Sequence, residues 1–474
     1  MDLKSSNTSE FTEPYITSSK STDFIKPKEE PDNFTPMVPK AEVYKVYKRR
    51  WAVLILFAFY SASNSMQWIQ FSIIQNIVTK YYGVSDVWID WTSMVYMILY
   101  IPLIFPGSWF LDKMGLRITA VVGIFGTCIG SWVKVFAVQP HLFFLSFAGQ
   151  SIVALSQVFI LSLPARLAAV WFGPDQVSFA CSVGVFGNQL GIAIGFVLPP
   201  MLVANSDDLN VIGNDLQWMF NYVAGLTTVL FILIVLFFQA KPPTPPSAAQ
   251  KVAGPGSEEA ENQITFMQSL KNLITNVNYI LLLISYGMNV GVFYAISTLL
   301  NPVVLKYYPG HEIDTGRIGL SIVLSGMLGS VVSGIILDKS HKFKETTLGV
   351  YAFSMVGMWV FAFTLDTGSI VVVYITASLL GFFMTGYLPV GFEFAAELTF
   401  PEPEGTSSGL LNASSQVFGI IFTSMYSWLL SDFSDVVANV TMAIMLIAGT
   451  IITAFISSDL RRQNAQINDK QQNP

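Results

Sequence analysis

Charge is scarce in this 474-residue sequence, in which Asp, Glu, Lys and Arg together make up only 12% of the residues. A soluble domain carries about twice that share. There are only two cysteines and three histidines, and they form no cluster with metal-ligand spacing. The sequence also has no basic tract interleaved with aromatics, no nucleophile–base constellation and no cofactor loop. We therefore predict no metal, no cofactor, no nucleic-acid partner and no enzymatic activity.

Apolar residues are abundant instead, at 52% of the chain, and aromatic residues reach 14%. A bilayer span needs about 20 consecutive apolar residues. By this criterion the sequence predicts an all-α membrane protein with twelve transmembrane helices, surrounded by lipid. The predicted spans are 51–79, 91–111, 118–138, 142–168, 177–203, 216–239, 277–304, 317–337, 346–365, 369–396, 406–430 and 435–457.

The polar segments set the expected domain boundaries. We predict a disordered N-terminus (1–43), a six-helix half (44–239), a linker (240–270), a second six-helix half (271–463) and a short tail (464–474). Most Lys and Arg residues collect on one side of the predicted spans, which favours cytoplasmic termini. The exceptions assigned to outer loops and outer span ends are Lys80, Lys134, Lys306 and Arg317. We expect a monomer in the plasma membrane, with the mitochondrial and endoplasmic reticulum membranes as alternatives.

Short words recur in order along the chain at one offset. LDKMGLR contains Asp112, and LDKSHKFKE contains Asp338, 226 positions later. AAVWFGPD begins at Ala168 and AAELTFPEPE at Ala395, a shift of 227, and the Leu-Pro pairs of spans four and ten are 225 apart. Several landmarks at nearly the same offset predict two six-helix halves in parallel repeat. Glycines four apart in span five, at 187, 191 and 195, predict close helix packing or a face on which the halves rock.

Polar residues interrupt the first span in SASNSMQWIQFSIIQN, residues 61–76. An unpaired amide in hydrocarbon is unfavourable by several kcal/mol, so these side chains either join helices or face a cavity. The repeat offset relates Trp68 to Tyr294 and Gln189 to Gln416, whereas Gln157 in span four has no mate. For Trp68, an interfacial or packing role remains an alternative to a cavity. For each glutamine, interhelical bonding is the alternative.

The sequence places no Asp or Glu, and no Lys or Arg, at mid-depth of a span; Arg166 lies low in span four. A cavity of aromatics and neutral amides can still bind a quaternary ammonium over the faces of Trp and Tyr. Proton-coupled carriers generally use a buried titratable group. Facilitated transport is therefore the simpler prediction.

Long words, among them SNSMQWIQFSIIQN, LSQVFILSLPARLAAVWFG, NVGVFYAISTLLN and SSGLLNASSQVFGIIF, resemble the feline leukaemia virus subgroup C receptor-related transporters of the major facilitator superfamily. The resemblance covers about residues 44–463. It implies a 6+6 pseudo-twofold bundle whose central cavity opens alternately to each side, and facilitative uptake of choline and ethanolamine. Haem transport has also been attributed to the family. A haem exporter and a non-transporting receptor therefore stay open as alternatives, although the predicted cavity offers haem no histidine.

The resemblance also assigns roles to single residues. It implies that Trp68 and Tyr294 wall the ammonium site, that Gln157 and Gln416 line the same pocket and that Met97 touches it. Gln189 is proposed from the repeat alone. The remaining charges at the inner span ends are expected to form a cytoplasmic gate, with ordinary interfacial charge as the alternative: Asp112, Arg166, Asp338, Glu393 and Glu397.

Overall fold

The structure, a computed structural model, describes residues 47–173, 176–244 and 266–461, without the side chains of Asp112, Ser178, Phe266 and Asp338. Nearly all of the described chain is helical, and it contains no β-strand. The helices are α1 (Arg49–Ile69), α2 (Gln75–Tyr82), α3 (Asp86–Leu111), α4 (Lys113–Phe136), α5 (Phe143–Trp171), α6 (Val177–Leu202), α7 (Leu209–Phe237), α8 (Phe266–Thr275), α9 (Val277–Thr298), α10 (Leu300–Tyr307), α11 (Glu312–Ser340), α12 (Phe343–Thr364), α13 (Ile370–Thr399), α14 (Glu404–Asp432) and α15 (Asp435–Phe455).

Within the described residues, eleven helical segments are long and apolar enough to cross a membrane. The predicted twelfth span corresponds to α14, a 29-residue helix whose length is sufficient but whose composition is more polar. Its central ASSQ sequence accounts for that polarity. We call the side on which α1 begins the terminal face and the opposite side the distal face.

Two predicted spans contain a helix break that the sequence did not reveal, although 51–79 lies within the candidate span Arg49–Tyr82. The span predicted at 51–79 breaks after Ile69 and continues through a 3₁₀ turn, Ser72–Ile74, into α2. The span predicted at 277–304 breaks between α9 and α10, at Leu299. A further break lies at Gly115, in the first turn of α4, where φ is 81°, a value that favours glycine.

The glycines of α6 pack against α1, which confirms the close packing predicted for them. A Cβ added at Gly187 comes within 2.8 Å of the Ala58 backbone, and one added at Gly191 within 2.4 Å of the Ala62 carbonyl oxygen. Further along α6, Phe196 covers the two glycines at the distal end of α11, 316 and 319. Helix α6 therefore contacts α1 with one face and α11 with another.

Near the distal face, the helices before residue 240 and those after 266 are joined by side-chain hydrogen bonds. Asn301 donates to the Ile73 carbonyl (2.8 Å) and to Asn76 Oδ1 (3.1 Å). Glu312 accepts from Asn76 (3.2 Å) and from Asn205 (2.8 Å). These bonds join the two sets of helices on the distal side of the bundle.

The predicted domain limits remain predictions. Residues 1–43, 464–474 and most of the linker predicted at 240–270 lie outside the described residues. Helix α8 begins at Phe266, inside the predicted linker, and is a short amphipathic helix rather than irregular chain.

Candidate functional site

An aromatic corner forms where α1 meets α9. Trp68, in the last turn of α1, and Tyr294 of α9 lie edge to face, with ring centroids 5.5 Å apart and planes inclined by 70°. Trp68 is buried, whereas Tyr294 is only partly buried. In this contact the edge of one ring packs against the face of the other, and aromatic faces are the groups that attract a cation.

Three further residues complete the corner. Gln416 of α14 donates from Nε2 to the Tyr294 hydroxyl oxygen (3.3 Å). Met97 of α3 lies beside Gly419 of α14: a Cβ added at Gly419 falls 2.8 Å from Met97 Sδ and 2.8 Å from Tyr294 Cδ2. The structure therefore brings Trp68, Tyr294, Gln416 and Met97 together, and their role in binding a substrate remains a prediction.

Gln157 and Gln189 are not part of this corner. Asn64, one turn before Trp68 in α1, donates to the Val153 carbonyl of α5. Gln157 follows Val153 by one turn of α5. At 1.5 Å per residue, Gln157 is about two turns closer to the terminal face than Trp68. Gln189, half-buried on α6, lies at a similar depth, since its neighbours in α6 pack beside residues 58 and 62 of α1. Its Oε1 atom is buried and has no partner among the described atoms.

The amide side chains of SASNSMQWIQFSIIQN join helices to one another, whereas Trp68 belongs to the aromatic corner. Asn64 donates to Thr127 (3.0 Å) and to the Val153 carbonyl (3.0 Å). Gln67 Oε1 accepts from Ser131 (3.0 Å) and Lys134 (2.7 Å) of α4, while its amide nitrogen donates within α1 to the Ser63 carbonyl (2.9 Å). Of the two alternatives left open by the sequence, interhelical bonding therefore holds for most of these amides.

Two buried charged groups correct the picture drawn from the sequence. Lys134 lies at a span end, in the last turn of α4, as predicted, but its side chain is buried beside Gln67, one residue from Trp68. Asp90, which directly precedes the span predicted at 91–111, is buried within α3, and one of its oxygens accepts from Ser427 of α14. Asp90 is about two turns from Met97 along the same helix, towards the distal face. Sequence position alone misjudged both because burial depends on the neighbouring helices.

The predicted gate residues remain predictions. Arg166 is half-buried near the terminal end of α5, Glu393 is exposed on α13 and Glu397 is buried one turn later. The side chains of the other two, Asp112 and Asp338, lie outside the described part of the structure.

Sequence reasoning missed two residues of this region. Gly419 follows Gln416 by three positions and so shares its helix face, a spacing that could have revealed it. Tyr100, three positions after Met97, is buried and packs with Val158 of α5. Within the described residues, no group of three or more His, Cys, Asp or Glu side chains could hold a metal ion.

Sequence comparisons relate the whole membrane region to transporters. The family model described as Major Facilitator Superfamily matches residues 52–424. A zebrafish (Danio rerio) protein named choline/ethanolamine transporter flvcr2b is 54% identical, with 89% of this chain and 86% of the relative covered. The human choline/ethanolamine transporter FLVCR2 is 52% identical, with 89% of this chain and 80% of the relative covered.

Solved structures of transporters share the fold. A bacterial homologue of the human lysosomal transporter Spinster superposes with a TM-score of 0.67 at 11% identity, covering 88% of this chain and 99% of that one. The Escherichia coli fucose:proton symporter superposes with a TM-score of 0.60 at 13% identity, covering 87% of this chain and 100% of that one.

Proposed function

Since the chain belongs to the major facilitator superfamily and, within it, to the feline leukaemia virus subgroup C receptor-related transporters, we propose that it transports choline and ethanolamine. In this proposal transport is facilitated, and a central site opens alternately to the two sides of the membrane. The substrate is held by its ammonium group at the corner formed by Trp68 and Tyr294. The proposed location is the plasma membrane, with both termini cytoplasmic and a single chain as the working unit.

The aromatic corner carries the proposal. A trimethylammonium group spreads its positive charge over methyl groups, which need apolar contact as well as a negative potential. The faces of Trp and Tyr supply both, and such contacts contribute about 2 kcal/mol or more when water is excluded. Met97 adds a polarisable thioether, and Gln416, bonded to the Tyr294 hydroxyl, offers an amide to the hydroxyl group of choline.

The protein already holds one ammonium group in this way. The buried Lys134 ammonium donates to the side-chain oxygens of Gln67 (2.7 Å) and Gln150 (2.9 Å), and it lies 5.8 Å from the centroid of the Phe71 ring. Amide oxygens and an aromatic ring thus surround a cation in the interior. This supports a substrate site of the same composition, built from Trp68 and Tyr294 with glutamines.

The amides further towards the terminal face fit a path for the substrate. Gln157 and Gln189 lie at a similar depth, about two turns from the aromatic corner. The unpartnered Oε1 of Gln189 is an acceptor for a passing ammonium or hydroxyl group. The proposed gate beyond them consists of Asp112, Arg166, Asp338, Glu393 and Glu397.

Choline uptake by matched variants tests the site. In cells with equal surface amounts of each protein, Trp68→Ala and Tyr294→Ala are expected to lower uptake at limiting choline at least tenfold, from the loss of about 2 kcal/mol of cation–π binding. Trp218→Ala and Tyr222→Ala are the controls, because these α7 side chains are 63% and 60% exposed. Uptake that is equal in all five proteins would overturn the assignment of the site.

A further inference from the structure

Lys134 is the most deeply buried cation of the described chain, and the proposed transport chemistry does not use it. It lies near the distal end of α4, where its side chain is 1% exposed. All three of its recorded contacts are to neutral groups: Gln67 Oε1 (2.7 Å), Gln150 Oε1 (2.9 Å) and the ring of Phe71. Burying an ammonium group is unfavourable unless it is fully hydrogen-bonded, so its presence requires an explanation.

The explanation lies in the break that ends α1 immediately after Trp68. Where a helix stops, its last carbonyl groups lose their intrahelical partners and need others. Here Gln150 of α5 donates from Nε2 to the Gln67 carbonyl (2.7 Å), and Ser93 of α3 donates to the Trp68 carbonyl (3.2 Å). Side chains from two other helices thus hold the backbone on which the indole of Trp68 is mounted.

Lys134 in turn hydrogen-bonds the side chains of Gln67 and Gln150. Gln67 accepts from Lys134 and from Ser131 (3.0 Å), while Gln150 accepts from Lys134 and, more weakly, from Gln70 (3.4 Å). A single ammonium therefore fixes both glutamine side chains in one orientation. Without it, Gln150 loses its strongest donor and is free to turn away from the Gln67 carbonyl.

From this arrangement we infer that Lys134 is a positioning residue for the substrate site: through Gln67 and Gln150 it fixes the break in the first span and thereby the orientation of Trp68. The inference rests on the proposed function for the importance of Trp68, but the geometry can be tested without substrate.

The fluorescence of Trp68 gives a test that does not depend on transport. The emission of Trp68 is obtained as the difference between purified protein with Trp68 and the same protein with Trp68→Phe. We expect Lys134→Met to shift this difference spectrum to longer wavelength, because a loosened indole becomes more accessible to water. Lys80→Met is the matched control, since Lys80 pairs with Asp207 in an exposed ion pair. An unchanged difference spectrum in Lys134→Met would overturn the inference.

Choline kinetics in proteoliposomes give the second test. In the protein with Trp68, Lys134→Met is expected to raise the KM for choline about tenfold while changing the maximal rate less than about twofold. In the Trp68→Ala protein, Lys134→Met is expected to change this KM less than about twofold. Equal effects of Lys134→Met in both backgrounds would contradict a role through Trp68. Loss of choline uptake by the unmodified protein would instead overturn the proposed function, and the fluorescence result would still decide the positioning role.

Ser93→Ala covers the case in which Lys134→Met is not recovered as folded protein. This change removes a hydroxyl group that donates to the Trp68 carbonyl (3.2 Å) and shares a hydrogen bond with Ser72 of the 3₁₀ turn (2.7 Å). It is expected to shift the Trp68 difference spectrum in the same direction and to raise KM about threefold. If Ser93→Ala leaves both the spectrum and KM unchanged, the break does not position Trp68 and the inference is wrong.

Discussion

At the scale of single residues, Gly419 determines how closely α14 approaches the aromatic corner. A side chain at this position would meet Met97 Sδ and Tyr294 Cδ2, each 2.8 Å from the added Cβ. A separation below 3.0 Å requires one of these groups to move. Since Tyr294 is also bonded to Gln416, movement of its ring would disturb two parts of the proposed site at once.

Gly419→Ala is therefore expected to weaken choline binding. Overpacking a well-packed site is unfavourable by about 1–3 kcal/mol, so we expect the affinity measured by thermal shift or uptake to fall at least about fivefold. Gly225→Ala in α7 is the control, because nothing lies within 4 Å of its added Cβ. Wild-type affinity in Gly419→Ala would mean that the space beside Met97 is not part of the site.

Single residues also mark the limit of what the sequence could predict. The repeat offset related Trp68 to Tyr294, which meet in the corner, and Gln416 to Gln189, of which only Gln416 contacts it. It could not identify Lys134 as buried, since Gln67 and Gln150 reach it from two other helices. The repeat offset also could not distinguish the role of Gln67, which joins helices, from the role of the adjacent Trp68, which forms the corner.

At the scale of helices, the break in the first span is the feature that the apolar pattern concealed. Residues 61–79 continue an apolar sequence with scattered amides, and no glycine or proline marks the break at Gln70. The break is stabilised by donors from α3 and α5 that take up the freed carbonyls. A 3₁₀ turn inside a span often marks a functional hinge, and here it directly follows Trp68.

The contact between α3 and α14 supplies a prediction about opening of the distal side. The Asp90 carboxyl is buried between these helices and accepts from Ser427, while its Oδ1 atom has no partner among the described atoms. Ser427→Ala leaves that carboxyl without its donor, which is unfavourable by about 1–3 kcal/mol and favours separation of the helices. We expect Met94→Cys, placed at this contact, to react at least about fivefold faster with an impermeant maleimide applied from the distal side.

That measurement uses protein lacking Cys128 and Cys181, so that only the introduced thiol reacts. Ser431→Ala is the control, because its hydroxyl donates within its own helix, to the Trp428 carbonyl (3.0 Å). Slower or unchanged labelling in Ser427→Ala would contradict a role for this bond in holding the distal side closed.

At the scale of the whole molecule, the hydrogen bonds at the distal face join the two sets of helices while the aromatic corner lies further inside. The overall architecture was predictable because twelve apolar segments and an internal repeat restrict the fold strongly. The relative closure of the two sides was not predictable, since it depends on bonds such as Asn301 to Ile73 between residues far apart in sequence.

A carrier that moves a cation without a coupled ion responds to membrane potential. An inside-negative potential of 100 mV favours a single positive charge by about 2.3 kcal/mol, or about fiftyfold in accumulation. In proteoliposomes we expect a potassium diffusion potential to drive choline accumulation, and a pH gradient at zero potential to drive none. Accumulation driven by the pH gradient would instead indicate a proton-coupled carrier.

The central claim is that the aromatic corner selects a positive charge, and a neutral copy of choline tests it most directly. In 3,3-dimethyl-1-butanol a carbon replaces the quaternary nitrogen, so the shape is kept and the charge is lost. If cation–π contacts supply about 2 kcal/mol, this alcohol should compete with choline at least about thirtyfold more weakly than choline itself, and Trp68→Ala should abolish the difference. Equal competition by the alcohol and by choline in the unmodified protein would contradict the account.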